Sequence, residues 1–194
     1  MRGFPGRLPD GETLLWQGAP DWRVLARTAL HVRGLAFYFV ALAIIAAATG
    51  RIAGALTVAG LGLVPIALAY AYAWAVSSTT VYSITNRRVV LHIGLALPVT
   101  LNLPLNRVSA ADIRAGADGS GDVSLTLTGA DRFAYVVLWP HARPWRFSPA
   151  QPTMRGLRDA SHPAEILARA LGSTAALPSA VESGYTPMQT PLAA

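Results

Sequence analysis

Residues 52–86 hold no charged side chain, and only Arg51 separates them from a second charge-free stretch, residues 34–50. This pair of runs constrains the chain more than any other feature. A helix that crosses the hydrocarbon core of a bilayer needs roughly 20 apolar residues, with about 17–25 observed. The second run meets that length over residues 52–76. The first is lengthened by Ala29, Leu30 and Val32, with His31 and Arg33 reaching toward the headgroups. Thr49, Gly50 and Arg51 allow only a tight connection, so the pattern predicts a transmembrane hairpin. The charged fraction of the whole chain, 13% against 53% hydrophobic, agrees. It is about half that of an ordinary soluble domain.

Orientation follows from the arginines. Arg23, Arg27 and Arg33 precede the first span and Arg87 and Arg88 follow the second, whereas the connection holds Arg51 alone. The positive-inside bias places both ends in the cytoplasm, for a multi-pass protein of the inner membrane. Phe37, Tyr38 and Phe39 at the start of one span and Tyr70, Tyr72 and Trp74 at the end of the other mark the same interface. Residues 1–10 lack the apolar core of a signal peptide, which leaves targeting to the first span.

Four regions emerge: an N-terminal cytoplasmic segment (1–21), a lead-in and hairpin (22–78), a β-rich domain (79–172) and a mobile tail rich in Pro, Ser, Thr and Ala (173–194). In the lead-in, Pro20 and Asp21 signal a helix start. Trp22, Leu25, Ala29 and Val32 then fall on one face, with Arg23, Arg27 and His31 on another. A separate interfacial helix fits this pattern. A continuous cytoplasmic extension of the first span fits it too, and is the preferred reading. His31, beside two arginines, suits snorkelling better than ligation of a pigment.

After residue 78 the periodicity changes to that of strands. Val81 and Ser83 alternate with Tyr82 and Ile84, Asn86 and Arg87 make a turn, and residues 88–93 return. Residues 97–103 alternate but contain Pro98, followed by Pro104, which demotes them to an edge strand. A short strand is expected at 110–115, a loop at 116–121 and a half-buried strand at Val123, Leu125 and Leu127. Another strand is expected at 133–139, then a Pro- and Arg-rich connection, and a helix from Ser161 to Leu171. The expected fold is therefore α+β: a two-helix transmembrane hairpin and a small antiparallel β-barrel or sandwich closed by a C-terminal helix.

The chemistry of catalysis is missing. There is no cysteine and no lysine, hence no zinc–cysteine site and no phosphate loop ending in Gly-Lys. His31, His92, His141 and His162 form no metal pair at helical spacing. Asp112, Asp118, Asp122 and Asp131 lie mostly in turns, where surface solvation explains them. The expectation is a protein that is not an enzyme and binds no cofactor of its own. The net charge of +6 comes from scattered arginines without interleaved aromatics, which argues for a membrane surface and against nucleic acid.

Tyr82-Ser83-Ile84-Thr85-Asn86-Arg87-Arg88, continued by Leu103-Pro104-Leu105-Asn106-Arg107-Val108, resembles the bacterial pleckstrin-homology-like domain. Leu8-Pro9-Asp10-Gly11-Glu12 and Trp16-Gln17-Gly18-Ala19-Pro20-Asp21-Trp22 precede the hairpin, and Trp139-Pro140-His141 and Trp145-Arg146 follow it. Together these passages are similar to the photosynthetic-complex assembly proteins of purple bacteria. That resemblance, over residues 8–171, implies an assembly factor for the reaction-centre–light-harvesting 1 core complex. Its partners would be reaction-centre and light-harvesting 1 subunits and membrane lipid, with bacteriochlorophyll met only through those subunits and a homodimer left open. Such interfaces favour tryptophan and arginine, which points to Trp16, Trp22, Arg23, Trp139, Trp145 and Arg146; Trp139 suits a core position equally well. The alternative is a membrane-anchored module that binds lipid headgroups or peptides, with Arg87 and Arg88 at the first hairpin turn meeting the headgroup. A transporter would need polar groups within the spans, where Thr57 stands nearly alone.

Overall fold

The computed structural model describes residues 8–95, 98–129, 134–146 and 148–175. Strand β1 (Leu14–Gly18) comes first, followed by helices α1 (Trp22–Thr28), α2 (Val32–Ala48) and α3 (Ile52–Thr79). Strands β2 (Val81–Thr85), β3 (Arg88–Ile93), β4 (Val99–Pro104), β5 (Val108–Ala115) and β6 (Gly121–Leu127) come next. The short helix α4 (Tyr135–Leu138), strand β7 (Thr153–Leu157) and helix α5 (Ser161–Ala175) complete the chain.

Helix α3 has 28 residues, a length of about 42 Å, and is long and apolar enough to cross a membrane, with almost none of it buried. Helix α2 packs along it, and Gly62 lets the ring of Phe39 approach: a Cβ there would lie 2.6 Å from the ring. Helices α1 and α2 reach spanning length only as a pair, bent by 59°. The continuous extension preferred from the sequence is therefore broken. His31, in the left-handed region at φ 52, starts α2 afresh. Asp21 caps α1, its carboxylate accepting the N–H groups of Arg23 and Val24. The expected buried face is present, since Leu25 and Val32 pack with Ala73 and Val76 of α3, flanked by Trp22 and Ala29.

The strands form two antiparallel sheets, β1-β2-β3-β4 and β5-β6-β7. They share one core, with Tyr82, Ile84 and Leu91 from the first sheet and Leu125 and Met154 from the second. Helix α5 lies against β1, β2 and β5 and adds Leu167. No ladder joins the two sheets among the described residues. Strand β4 is at an edge, as its prolines require.

Three expectations are corrected. The opening segment is not separate from the β domain, because β1 pairs with β2 across the whole helical insertion, Gln17 opposite Ser83 and Gly18 opposite Tyr82. The strand expected at 133–139 is instead helix α4, with residues 130–133 outside the described residues. The strand that does pair with β6 is β7, inside the stretch read as a connection. All five residues of β7 are buried, including Thr153 and Arg155, so it has no apolar/polar alternation to recognise. Helix α5 runs on to Ala175, and its first N–H groups bond to Asp159 rather than to Ser161. The rest of the expected mobile tail, 176–194, lies outside the described residues.

One ion pair fastens the opening segment. Glu12, its side chain 2% exposed, faces the Arg88 guanidinium with both oxygens, at 2.8 and 2.9 Å, and accepts the Thr85 hydroxyl. Burial pushes the Glu12 carboxyl up, but these hydrogen bonds and the charges of Arg88 and Arg87 outweigh it and hold it below its ordinary value. Glu12→Ala would remove the carboxylate that accepts from the half-buried Arg88 guanidinium and from the Thr85 hydroxyl, so it should cost about 2 kcal/mol. Thermal unfolding in detergent measures that loss. Limited proteolysis should then release residues 8–18 first.

Candidate membrane and partner interface

The last third of α3 wears a collar of aromatic rings. Trp22 of α1 meets Tyr70 edge-on, ring centroids 5.9 Å apart at 81°, and the Arg23 guanidinium lies 5.0 Å from the Trp22 ring centroid. Trp139, just after α4, stacks on Tyr72 at 5.6 Å and 30°. Tyr70 and Tyr72 are roughly 200° apart around the helix, so α1 and the α4 segment flank α3 from opposite sides. Trp74, exposed, stands one turn beyond Tyr70. Rings of this kind, apolar with a polar tip, favour the membrane–water boundary. An open hollow of about 550 Å³ beside the collar is lined by Trp22, Arg23, Arg27 and Tyr70.

Beneath the collar lies a buried polar node. Arg155 of β7, its side chain 5% exposed, donates to the Pro140 carbonyl at 3.1 Å and to the Thr28 carbonyl at 3.0 Å. Its Nε faces Asp122 at 3.6 Å, an ion pair without a hydrogen bond. The other Asp122 oxygen accepts the Gly156 N–H. The Tyr82 hydroxyl accepts the Arg155 N–H and lies 2.7 Å from His141 Nδ1. His141 Nε2 is 3.3 Å from the Thr80 hydroxyl. The chain thus passes from α3 through Thr80 into the node without a linker.

Next to the node, the elbow between α1 and α2 and the β5–β6 end enclose a cleft of about 470 Å³. Arg27, Arg33 and Arg114 line it together with Trp145; Arg27 pairs with Asp118 at 3.5 Å. Trp145 is 87% exposed and holds a left-handed backbone, φ 63, a conformation uncommon for a bulky residue and concentrated at functional positions. Arg146 beside it is exposed.

The six residues singled out for partner contact fall into three groups. Trp22 and Arg23 share the collar with Trp139, on its two sides, while Trp145 and Arg146 stand at the cleft. Trp16 is apart from both: it packs on the β core, its ring so close over Gly18 that a Cβ there would lie 2.5 Å from it. Arg87 and Arg88 are at the end of β2 opposite to the α3 junction, and Arg88 is committed to Glu12. Arg155 went unrecognised, and Tyr82 and His141 carried a signal only as members of the Tyr82–Arg88 and Trp139-Pro140-His141 passages, without a role in a node. No group of three or more His, Asp or Glu that could hold a metal ion occurs among the described residues.

Burial and the nearby Arg155 charge push the His141 pKa down to about 3. A base whose folded pKa is depressed supports the fold fully above its unfolded value of 6.5. That support falls away as pH drops from 6.5 toward 3, by about 1.4 kcal/mol per unit. Glu12 and Asp21, both held below their ordinary values, act only below about 4.5. Detergent melting temperatures should therefore fall steadily between pH 6.5 and 4.5, and His141→Asn should flatten that slope.

Comparison with known proteins agrees with this architecture. The profile of the bacterial PH domain family matches residues 30–171, from the elbow to α5. A Rhodobacter capsulatus protein described as an uncharacterized 23.7 kDa protein in the puhA 5′ region is 37% identical over 178 residues, covering 87% of this chain and 83% of the relative. No solved structure matches. PH-like domains are typically binding modules without enzymatic activity, which accords with a site made of rings and arginines. The chain belongs to the bacterial PH domain family.

Proposed function

We propose that this protein is a membrane-anchored assembly factor for the photosynthetic reaction centre–light-harvesting 1 core complex, of the type of PuhB in purple bacteria. It acts through protein–protein contacts at the membrane and its cytoplasmic face, and performs no chemistry. The observation that carries this reading is the 37% identity to a protein encoded in the puhA 5′ region, beside a reaction-centre gene.

Geometry supports the anchor. Helices α2 and α3 expose Phe37, Ile44, Leu56 and Leu63, side chains suited to lipid and to the lipid-facing helices of subunits awaiting assembly. Strands β1 and β2 pair although all three helices lie between them. If α3 crosses the bilayer, the chain must cross once more before it, and α2 with its lead-in is what remains to do so. Both termini then lie in the cytoplasm, in accord with the arginine distribution. Trp145 and Arg146, exposed beside the elbow, are the best-placed contacts for a partner, with Trp22 and Arg23 at the collar. A second reading, recognition of anionic lipid, is favoured by Arg27, Arg33 and Arg114 around the cleft.

The test is affinity purification of the tagged protein from mildly solubilised photosynthetic membranes. Reaction-centre or antenna subunits should co-purify, several-fold less with Trp145→Ala/Arg146→Ala while membrane insertion is unchanged. Recovery of the protein without those subunits would overturn the assembly reading. Co-purification of anionic lipid, lost on Arg33→Ala/Arg114→Ala, would favour the second.

A further inference from the structure

We infer that the β domain is seated in the interfacial layer of the bilayer by two apolar protrusions that flank the root of α3: helix α4, and the tip of β3 at Gly94 and Leu95. This rests on the membrane reading of α3. The occupant of both surfaces is lipid.

Helix α4 exposes Val136 at 84% and Val137 at 51%, next to Trp139 at 45%. Nothing among the described residues covers them, and residues 133–142 hold no charge. Their level is fixed by contact with the span itself. Trp139 meets α3 at Tyr72, about 10 Å before the helix end along its axis. The α4 segment therefore lies beside the span, not beneath it, at the depth of the aromatic collar. It is also held rigidly, through Arg155 to the Pro140 carbonyl and through His141 to Thr80 and Tyr82.

The second protrusion follows from register. Val81, two residues after α3, pairs with His92, and Ile93 pairs with Val99. The tip of β3 and the start of β4 thus sit at the membrane end of the sheet. Ile93, Gly94 and Leu95 there are apolar, as are Pro98 and Val99, and Leu95 is 47% exposed. The other end of the same sheet carries Arg87, Arg88 and Asn106. An apolar end beside the span and a charged end away from it give the domain the polarity of an interfacial element.

The chain has no cysteine, so single-cysteine variants label cleanly. Val136→Cys, Leu95→Cys, Asn106→Cys and Leu61→Cys, each carrying an environment-sensitive fluorophore, are placed in phosphatidylcholine–phosphatidylglycerol vesicles with nitroxide-labelled lipid. The expected result is lipid-borne quenching at Val136→Cys and Leu95→Cys several-fold above that at Asn106→Cys. If both match Asn106→Cys while Leu61→Cys is quenched by lipid, the inference falls and the anchor stands. If Leu61→Cys is also reached only by aqueous quencher, the anchor reading falls with it. Weak lipid quenching with fluorescence that changes with protein-to-lipid ratio would assign the surface to a second copy, and overturn the inference too.

Discussion

A single buried guanidinium, that of Arg155, holds the helical part to the β part. A charge taken out of water is tolerated only when it is paired and its donors are satisfied. Arg155 meets most of that demand from three separate places: it donates to the Thr28 carbonyl at the end of α1 and the Pro140 carbonyl after α4, and its Nε, which makes no hydrogen bond, is paired in charge with the Asp122 carboxylate of β6. Thr28 can offer its carbonyl because α1 stops there, and the last carbonyls of a helix lack intrahelical partners. The negative end of the helix dipole favours a cation at the same point. The end of α1 and the buried cation thus meet in one hydrogen bond.

The same region explains why α1 docks so closely. The Asp21 N–H donates to the Gly156 carbonyl at 2.7 Å. Gly156 has a positive φ of 70, and a Cβ there would lie 3.3 Å from Leu25. A side chain at that position would both strain the backbone and press against α1. Glycine beside arginine in β7 therefore serves packing on one side and charge on the other. Because α3 enters β2 through Thr80 alone, and the collar rings grip α3 on two sides, the β domain has little freedom to swing relative to the helix.

What the sequence discloses tracks how local the determining interactions are. Helix α3 and strands β2, β3 and β6 are legible because apolar spacing and turn residues act within a few positions. Strand β1 is not, because its partner Ser83 lies 66 residues beyond Gln17 and the local composition reads as a lead-in. Strand β7 is hidden by its own burial, since a strand enclosed on both faces and carrying Arg155 has no alternation. Alternation at Tyr135, Val137 and Trp139 pointed to a strand, yet these residues shape a single helical turn whose valines remain outside the core. The break at His31, in the left-handed region, has no proline or glycine at that position to mark it. Residue type singles out Trp22, Trp139 and Trp145, which the fold places at the collar and the cleft, but does not separate them from Trp16, whose ring packs on the core.

The placement of the hairpin between the first two strands of one sheet has a consequence for biosynthesis. Leu14–Gly18 leaves the ribosome before either long helix, and its ladder partner Val81–Thr85 leaves after both. If only one helix traversed the lipid, these two strands would end on opposite faces of the membrane and the outer ladder of the sheet would be lost. If either long helix crosses a bilayer, a second crossing must accompany it before Leu14–Gly18 and Val81–Thr85 can pair on one side.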